Sequence, residues 1–240
     1  MKFGVRLEVW GDYAAFNRPE MKVERVSYDV MTPSAARGVL EAIYWKPEMR
    51  WVIDQIHVLR PIRFTHVRRN EISSVIPVKG ARGAQTASRQ SSGALGIDVT
   101  EHRQQRAAMI LKDVRYGIAA HVELVDDQSG LKNPVAKHLE MFKRRAGRGQ
   151  YFHHPYLGCR EFPASFRLVE SFAACPVELS EGPQPRDLGY MLHDIDFVDD
   201  RSGGIVESNR GRRVTARPYF FRAQMQDGVV SVPAKSDRRS

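Results

Sequence analysis

The sequence predicts an α+β fold, and three observations carry that prediction. Strictly alternating runs occur near the N-terminus and again in the middle of the chain. Each is followed by a capped stretch with helical periodicity, and each such stretch by another extended run.

In "KFGVRLEVW", Phe3, Val5, Leu7 and Val9 share one face, with Lys2, Arg6 and Glu8 on the other, as in a half-buried strand. "TPSAARGVLEAIYW" then supplies Thr32 as N-cap and Pro33 at the first helical position. Ala36, Val39, Leu40 and Ile43 form its apolar stripe, Trp45 reads as a packing residue, and Pro47 lies beyond the end. Trp51 to Leu59 reads as a second strand, and "RFTHVRRNEI" as a further extended piece. From Val78 to Arg106 the chain is rich in Gly, Ala, Ser, Gln and Arg and has no period. Its "KGARGAQTASRQSSG" suits a phosphate backbone, and equally a solvated insertion at a hairpin tip.

Order returns at "KDVRYGIAAHVELV". Val114, Tyr116, Ile118, Ala120, Val122 and Leu124 share one face; Arg115, His121 and Glu123 share the other. Asn133 and Pro134 start a second helix, with Val135, Leu139 and Phe142 inward and "KRR" (Lys143 to Arg145) in its last turn. A basic glycine-bearing loop, "AGRGQYFHHPYLG", leads to the strand "SFRLVESF". The resulting order of strand, helix, strand, insertion, strand, helix, strand is the split βαβ pattern of a ferredoxin-like or RNA-recognition-motif fold. The Pro/Gly/acid-rich "CPVELSEGPQPRDLG" marks a boundary. We therefore expect a ferredoxin-like domain over residues 1–175, with a basic insertion at 63–111, and a small antiparallel β domain over 176–240. The runs "YMLHDIDFV", "RPYFFRAQM" and "VVSVP" supply the strands of the latter, and "AKSDRRS" forms a frayed tail.

The chain of 240 residues carries 37 Lys and Arg against 28 Asp and Glu, a formal charge of +9. Such a balance favours a polyanionic partner, because phosphate contacts release counterions. No apolar run approaches the roughly 20 residues of a membrane span, and the N-terminus lacks a signal peptide's apolar centre; the expectation is a cytoplasmic protein with no membrane partner. Cys159 and Cys175 have neither metal-ligand spacing nor a disulfide framework and read as free thiols. His153, His154 and Cys159 make a poor metal set, since adjacent histidines seldom converge on one ion, so no cofactor is expected.

The chemistry that suits a basic protein without nucleotide or protease motifs is metal-free RNA cleavage. The 2′-hydroxyl attacks the adjacent phosphorus, which requires a base, an acid at the 5′ oxygen and a cation at the phosphate. Among eight histidines, His121 stands out on the polar face of its strand, beside Arg115 and Glu123. Tyr44 and Lys46 lie where the first helix ends; composition alone leaves Tyr44 a packing residue.

"GDYAAFNRPEMKVERVSYDVMTPSAARGVLEAIYWKPEMRWVID", "RRNEI", "QRAAMILKDVRYGIAAHVEL" and "PYLGCREFPASF" closely resemble the Cas-five family of CRISPR-associated proteins. The match is to the Dvulg subtype of type I-C systems, within the RAMP superfamily. It implies a ferredoxin-like domain with an inserted β-hairpin and a small C-terminal sheet. It also implies an endoribonuclease that cuts CRISPR repeat RNA without metal at the 3′ base of the repeat stem-loop. Such a protein would keep the crRNA 5′ handle and join the seven-family backbone and eight-family large subunits of Cascade. A non-catalytic subunit that only holds the handle is the alternative, with nonspecific DNA binding or metal-dependent DNA cleavage a third reading. The catalytic set described for the family is a Tyr after the first helix and a Lys-His pair on a later strand. By resemblance these fall on Tyr44 in "IYWKP" and His121 in "AAHVEL"; Ala120 stands at the Lys position, which leaves Lys46, Lys112 or Arg115 to supply the cation, with Lys112 taken as the third catalytic residue. Lys46, Arg68, Arg69, Arg115, Arg144, Arg145 and Arg148 are the expected RNA-binding residues.

Overall fold

Among the described residues of the computed structural model (4–21, 23–74, 99–125, 133–175, 185–198, 205–207 and 213–234), ten strands form one sheet with few helices. In chain order these are β1 (Gly4–Ala14), β2 (Arg25–Val26), α1 (Pro33–Ile43), β3 (Met49–Val58) and β4 (Phe64–Ile72). A single helical turn, Val99–His102, precedes β5 (Arg103–Leu124), α2 (Pro134–Gly147) and β6 (Ser165–Leu168). After a 3-10 turn at Phe172–Ala174 come β7 (Arg186–Val198), β8 (Ile205–Glu207), β9 (Arg213–Gln226) and β10 (Val229–Ser231). The sheet runs β6-β1-β5-β3-β10-β9-β7, with β2 and β4 on β5 and β8 on β9; apart from the short parallel β2–β5 contact, the pairings are antiparallel. The C-terminal strands thus reach the rest of the sheet through β10, which pairs with β3.

Both helices pack on one face of this sheet. Val5, Leu7 and Val9 of β1, Trp51, Ile53 and Ile56 of β3, and the alternating Val114 to Val122 of β5 bury against Val39, Leu40 and Ile43 of α1 and Leu139 and Phe142 of α2. Thr32 accepts a hydrogen bond from the Ala35 N–H at 3.3 Å, and Asn133 one from the Ala136 N–H at 3.2 Å, so each helix starts at its expected cap.

Three features differ from the sequence expectation. β5 starts at Arg103 rather than at Lys112, and its first half pairs with β4 from Phe64↔Leu111 to Ile72↔Arg103. Alternation is weak in "RQQRAAMIL"; the neighbouring β4 and β2 supply the hydrogen bonds that make it a strand. Of the rest of the expected loop, Val99–His102 forms the helical turn before β5, and 78–98, including "KGARGAQTASRQSSG", lies outside the described residues, as do most of the expected linker and the tail. Secondly, Trp45 is exposed and Trp51 is the indole that packs, 4.8 Å from Phe142 between ring centroids. Thirdly, Glu8, on the polar face of β1, is fully buried, because Arg115 and Arg167 close over it.

Burial raises the phenol pKa values of Tyr28, Tyr44 and Tyr116 above the ordinary tyrosine value. A raised pKa means that the folded state holds its proton where the unfolded chain has lost it. The contribution of these phenols is therefore complete below about pH 10 and declines as pH rises above it. Thermal melts followed with phenolate absorbance should show Tm falling in that alkaline range; a constant Tm there would contradict the burial of these groups.

Candidate active site at the end of the first helix

The chain leaves α1 through Tyr44, whose backbone is extended (φ −155°, ψ 126°) and whose N–H donates to the Leu40 carbonyl at 2.9 Å. The last carbonyls of a helix need partners, and here the three from Ala42 to Tyr44 are bonded by residues from elsewhere in the chain. The Phe152 N–H donates to Ala42 O at 2.8 Å, the Arg145 guanidinium to Ile43 O at 3.2 Å, and the Trp51 indole N–H to Tyr44 O at 2.9 Å. Arg145 also lies over the Tyr44 ring, its Cζ 5.3 Å from the centroid, where a cation complements both the aromatic face and the helix C-terminus.

This clamp holds the Tyr44 hydroxyl 3.0 Å from Nδ1 of His138, in the second turn of α2. Both residues are 2% exposed. Burial pushes the Tyr44 phenol upward, and the nearby Glu48 carboxylate adds to that, while Arg145 opposes it. The phenol therefore keeps its proton near neutrality and can donate it to Nδ1 of a neutral imidazole. That imidazole then carries its proton on Nε2, which lies 4.0 Å from Glu48 Oε1. A phenol and an imidazole in this relation can pass a proton between them and present one to a third group.

The other expected site residues are distributed differently. His121 is not beside Tyr44. Val122 pairs with Trp51, which contacts Phe142 on the helix side of the sheet, so adjacent His121 points to the opposite face. There its Nδ1 lies 2.9 Å from both oxygens of Asp54, a residue placed by a β-bulge in β3, and its Nε2 3.7 Å from Glu123. Arg50, Asp194 and Asp196 join these residues around a cleft of about 320 Å³. Glu123 is held in its charged form chiefly by a hydrogen bond from Arg50, and Asp194 is paired with Arg37 at 2.8 Å. Among the described residues, four carboxylates (Asp54, Glu123, Asp194 and Asp196) line this cleft with one guanidinium, Arg50, a balance unfavourable for a phosphodiester. His121→Ala should accordingly leave RNA cleavage at the wild-type rate; a large loss would return the chemistry to this cleft.

Lys112 lies nine residues before His121 on the same strand, about 30 Å away at the rise of a β-strand, and cannot serve His121. Arg115 donates to buried Glu8 at 3.0 Å and lies over the Trp10 ring, so its charge is used inside the fold. Arg69 pairs with Glu161 at 2.5 Å and packs on Phe162, whereas Arg68, on the opposite side of β4, is exposed. Lys46, Arg144 and Arg148 are exposed around the end of α1 and α2, and Arg145 belongs to the clamp.

His138 was absent from the sequence reading because its place in the apolar pattern of α2 makes it look like a core residue. A signal was nevertheless there: the chain contains a Lys-His dipeptide at Lys137–His138, on a helix rather than a strand. Lys137 is exposed and immediately precedes the buried imidazole. Loss of the hydroxyl in Tyr44→Phe should slow cleavage on the order of 10²-fold with little change in RNA affinity. Comparing single-turnover rates with equilibrium binding checks this, and an unchanged rate would exclude the phenol from the reaction.

The fold and this site define a basic, mostly antiparallel α+β protein carrying acid–base groups beside a cationic surface. The family model described as CRISPR-associated protein (Cas_Cas5) matches residues 4–233, and the chain belongs to that family. It is 50% identical over 230 residues to the CRISPR pre-crRNA endoribonuclease Cas5d of Mannheimia succiniciproducens, covering 95% of this chain and 94% of that one. It is 41% identical over 235 residues to the protein of the same name from Thermus thermophilus, covering 96% and 92%. Two solved structures share the fold. They are the functionally uncharacterized protein SMU1763c from Streptococcus mutans (TM-score 0.65, 19% identity, 100% and 96% covered) and a CRISPR-associated protein (TM-score 0.63, 21% identity, 100% and 96% covered).

Proposed function

We propose that this protein is a metal-independent endoribonuclease that cuts CRISPR repeat RNA, with Tyr44 and His138 as its proton-transfer pair and Lys137 as the phosphate cation. The hydrogen bond of 3.0 Å between the Tyr44 hydroxyl and His138 Nδ1 carries the reading of the site. The near-full-length identity to two proteins named pre-crRNA endoribonucleases carries the choice of substrate. In the reaction the 2′-hydroxyl gives up its proton as its oxygen bonds to phosphorus. The bond from phosphorus to the 5′ oxygen breaks, and that oxygen takes a proton. The products are a 2′,3′-cyclic phosphate and a 5′-hydroxyl. Tyr44 and His138 exchange these protons, and the Lys137 ammonium offsets the extra negative charge on the phosphate in the transition state. Since both rings are shielded, RNA binding is coupled to a local opening beside the first turns of α2.

The finer architecture follows the same reading. The order β6-β1-β5-β3, with α1 after β1 and α2 after β5, supports a ferredoxin-like N-terminal domain; β4 and the first half of β5 act as its inserted hairpin. We place the domain boundary near residue 175, with β7 to β10 as the smaller C-terminal part, continuous with the same sheet through the pairing of β10 with β3. After cutting, the protein keeps the handle of its product and joins the seven-family and eight-family subunits of Cascade, as the family resemblance implies.

Labelled repeat RNA incubated with the protein in excess chelator should give one cut, and RNA with 2′-deoxyribose at that position none. Equal cleavage of the deoxy substrate, or a requirement for divalent metal, would overturn the mechanism, whereas binding without any cut would favour a purely handle-holding subunit. If Lys46, Lys137, Arg144 and Arg148 each meet a phosphate, log Kd should change with log salt with a slope of magnitude about 3. A nearly flat dependence would remove these cations from the interface.

A further inference from the structure

We propose that Trp45 and Phe152 form a stacking platform for unpaired nucleobases beside the scissile phosphate, an inference that rests on Tyr44 and His138 being where cleavage occurs. Both rings are large, apolar and open to solvent, at 51% and 84% exposure. Burial of such rings is the usual outcome of folding, and here two are displayed at one helix end. Their backbones are held firmly. The Phe152 N–H donates to the carbonyl of Ala42, three residues before Trp45, at 2.8 Å. Tyr44, the residue before Trp45, is bonded through its N–H, its carbonyl and its hydroxyl. Because Tyr44 is extended, its side chain and that of Trp45 leave the chain in opposite directions, one to His138 and the other to solvent. Phe152 is brought back toward α1 by the turn after α2, in which Gly149 adopts φ 66°, a conformation open to glycine at no steric cost.

The surroundings select the ligand. Lys46 adjoins Trp45 and Arg148 lies four residues before Phe152, both exposed, and neither 42–46 nor 148–154 contains a carboxylate. Of the acids that flank these stretches in the chain, Glu41 is paired with Arg37 at 2.7 Å and Glu48 faces His138. Rings continue outward from Phe152 to His153 at 6.1 Å and from His153 to Tyr156 at 6.3 Å, the latter pair nearly parallel at 28°. Open rings flanked by cations are the arrangement by which proteins hold single-stranded nucleic acid: bases stack while phosphates meet ammonium and guanidinium groups. A protein partner would be served equally well by aliphatic side chains; a row of rings with cations on its rim fits bases better.

The test uses repeat RNA with 2′-deoxyribose at the cut, which binds without reacting, and Trp45→Ala and Phe152→Ala in the full chain. Each variant should bind roughly 5- to 100-fold more weakly, with the wild-type salt slope, because no phosphate contact is lost. Trp45→Phe and Phe152→Tyr should recover most of the affinity. Acrylamide quenching, compared between wild type and Trp45→Phe, should show Trp45 protected by bound RNA; Trp51, at 1% exposure, is shielded, and the partly exposed Trp10 is common to both proteins. Wild-type affinity in both alanine variants would overturn the platform, as would aromatic replacements no better than alanine. If the wild-type protein neither binds nor cuts the RNA, the endoribonuclease reading itself fails, a result distinguishable from failure of the platform alone.

Discussion

Replacing His138 by asparagine is expected to slow cleavage of repeat RNA by about 10²–10⁴-fold while leaving its binding close to wild type. The imidazole bonded to the Tyr44 hydroxyl has an ordinary pKa near neutrality, so it can accept and return a proton within a single turnover. Asparagine fills much of the same space and offers polar atoms to Tyr44, but it cannot change protonation state. The variant therefore separates chemistry from packing. Its melting temperature should remain near wild type, and the RNA-bound complex should form and persist uncut. Lys137→Ala should give a smaller loss of rate, since an ammonium at the phosphate aids the transition state without moving a proton. Cleavage at the normal rate in His138→Asn would mean that Tyr44 and His138 are a buried hydrogen bond and nothing more.

Glu8→Leu should lower stability by about 3 kcal/mol, with RNA chemistry changed only through the fraction folded. Glu8 lies on β1 between β5 and β6, and its carboxylate is fully buried. Oε1 accepts from Arg115 at 3.0 Å, and Oε2 from Arg167 Nε at 3.0 Å and Nη2 at 2.6 Å. Leucine would leave Arg115, whose side chain is 19% exposed, without that partner in a poorly solvated place; Arg167, 57% exposed, can turn toward water. The expected loss thus falls at the low end for a broken buried pair. Glu8→Leu combined with Arg115→Met should recover part of it, because the stranded charge is gone. Denaturant unfolding of the two single variants and the double variant measures the coupling. Additive losses would show that the carboxylate and the Arg115 guanidinium do not depend on each other.

This ion cluster shows why charge on a strand is a poor guide to function. Arg115 and Glu8 sit at positions that alternation assigns to a polar face, and a polar face is ordinarily a wet one. In the folded chain Glu8 pairs across β1 with Arg167 of β6 and Arg115 of β5, so charges more than a hundred residues apart consume one another. Arg69 is taken from the RNA-binding set in the same way by Glu161, whereas Lys46, Arg144 and Arg148 stay exposed.

What the sequence by itself determined is local or long enough to be patterned. The caps at Thr32 and Asn133, the apolar stripe of α1 and the inward face of β5 from Val114 to Val122 all follow from periodicities that each segment carries alone. The order of elements and the family motifs are equally written in the chain. Only the tertiary structure decided which titratable groups meet. Tyr44 looks toward α2 because Trp51, Arg145 and Phe152 bind the carbonyls at the end of α1 and fix its exit. His121 looks away because one residue of register puts it on the other face of the sheet from Val122. A proton-transfer pair depends on a distance between residues 94 positions apart, and no periodicity encodes such a distance. For the same reason Trp45 faces solvent where packing was expected of it: hydrophobicity is identical in Trp45 and Trp51, and the turn between them decides which one meets Phe142 and which one meets solvent.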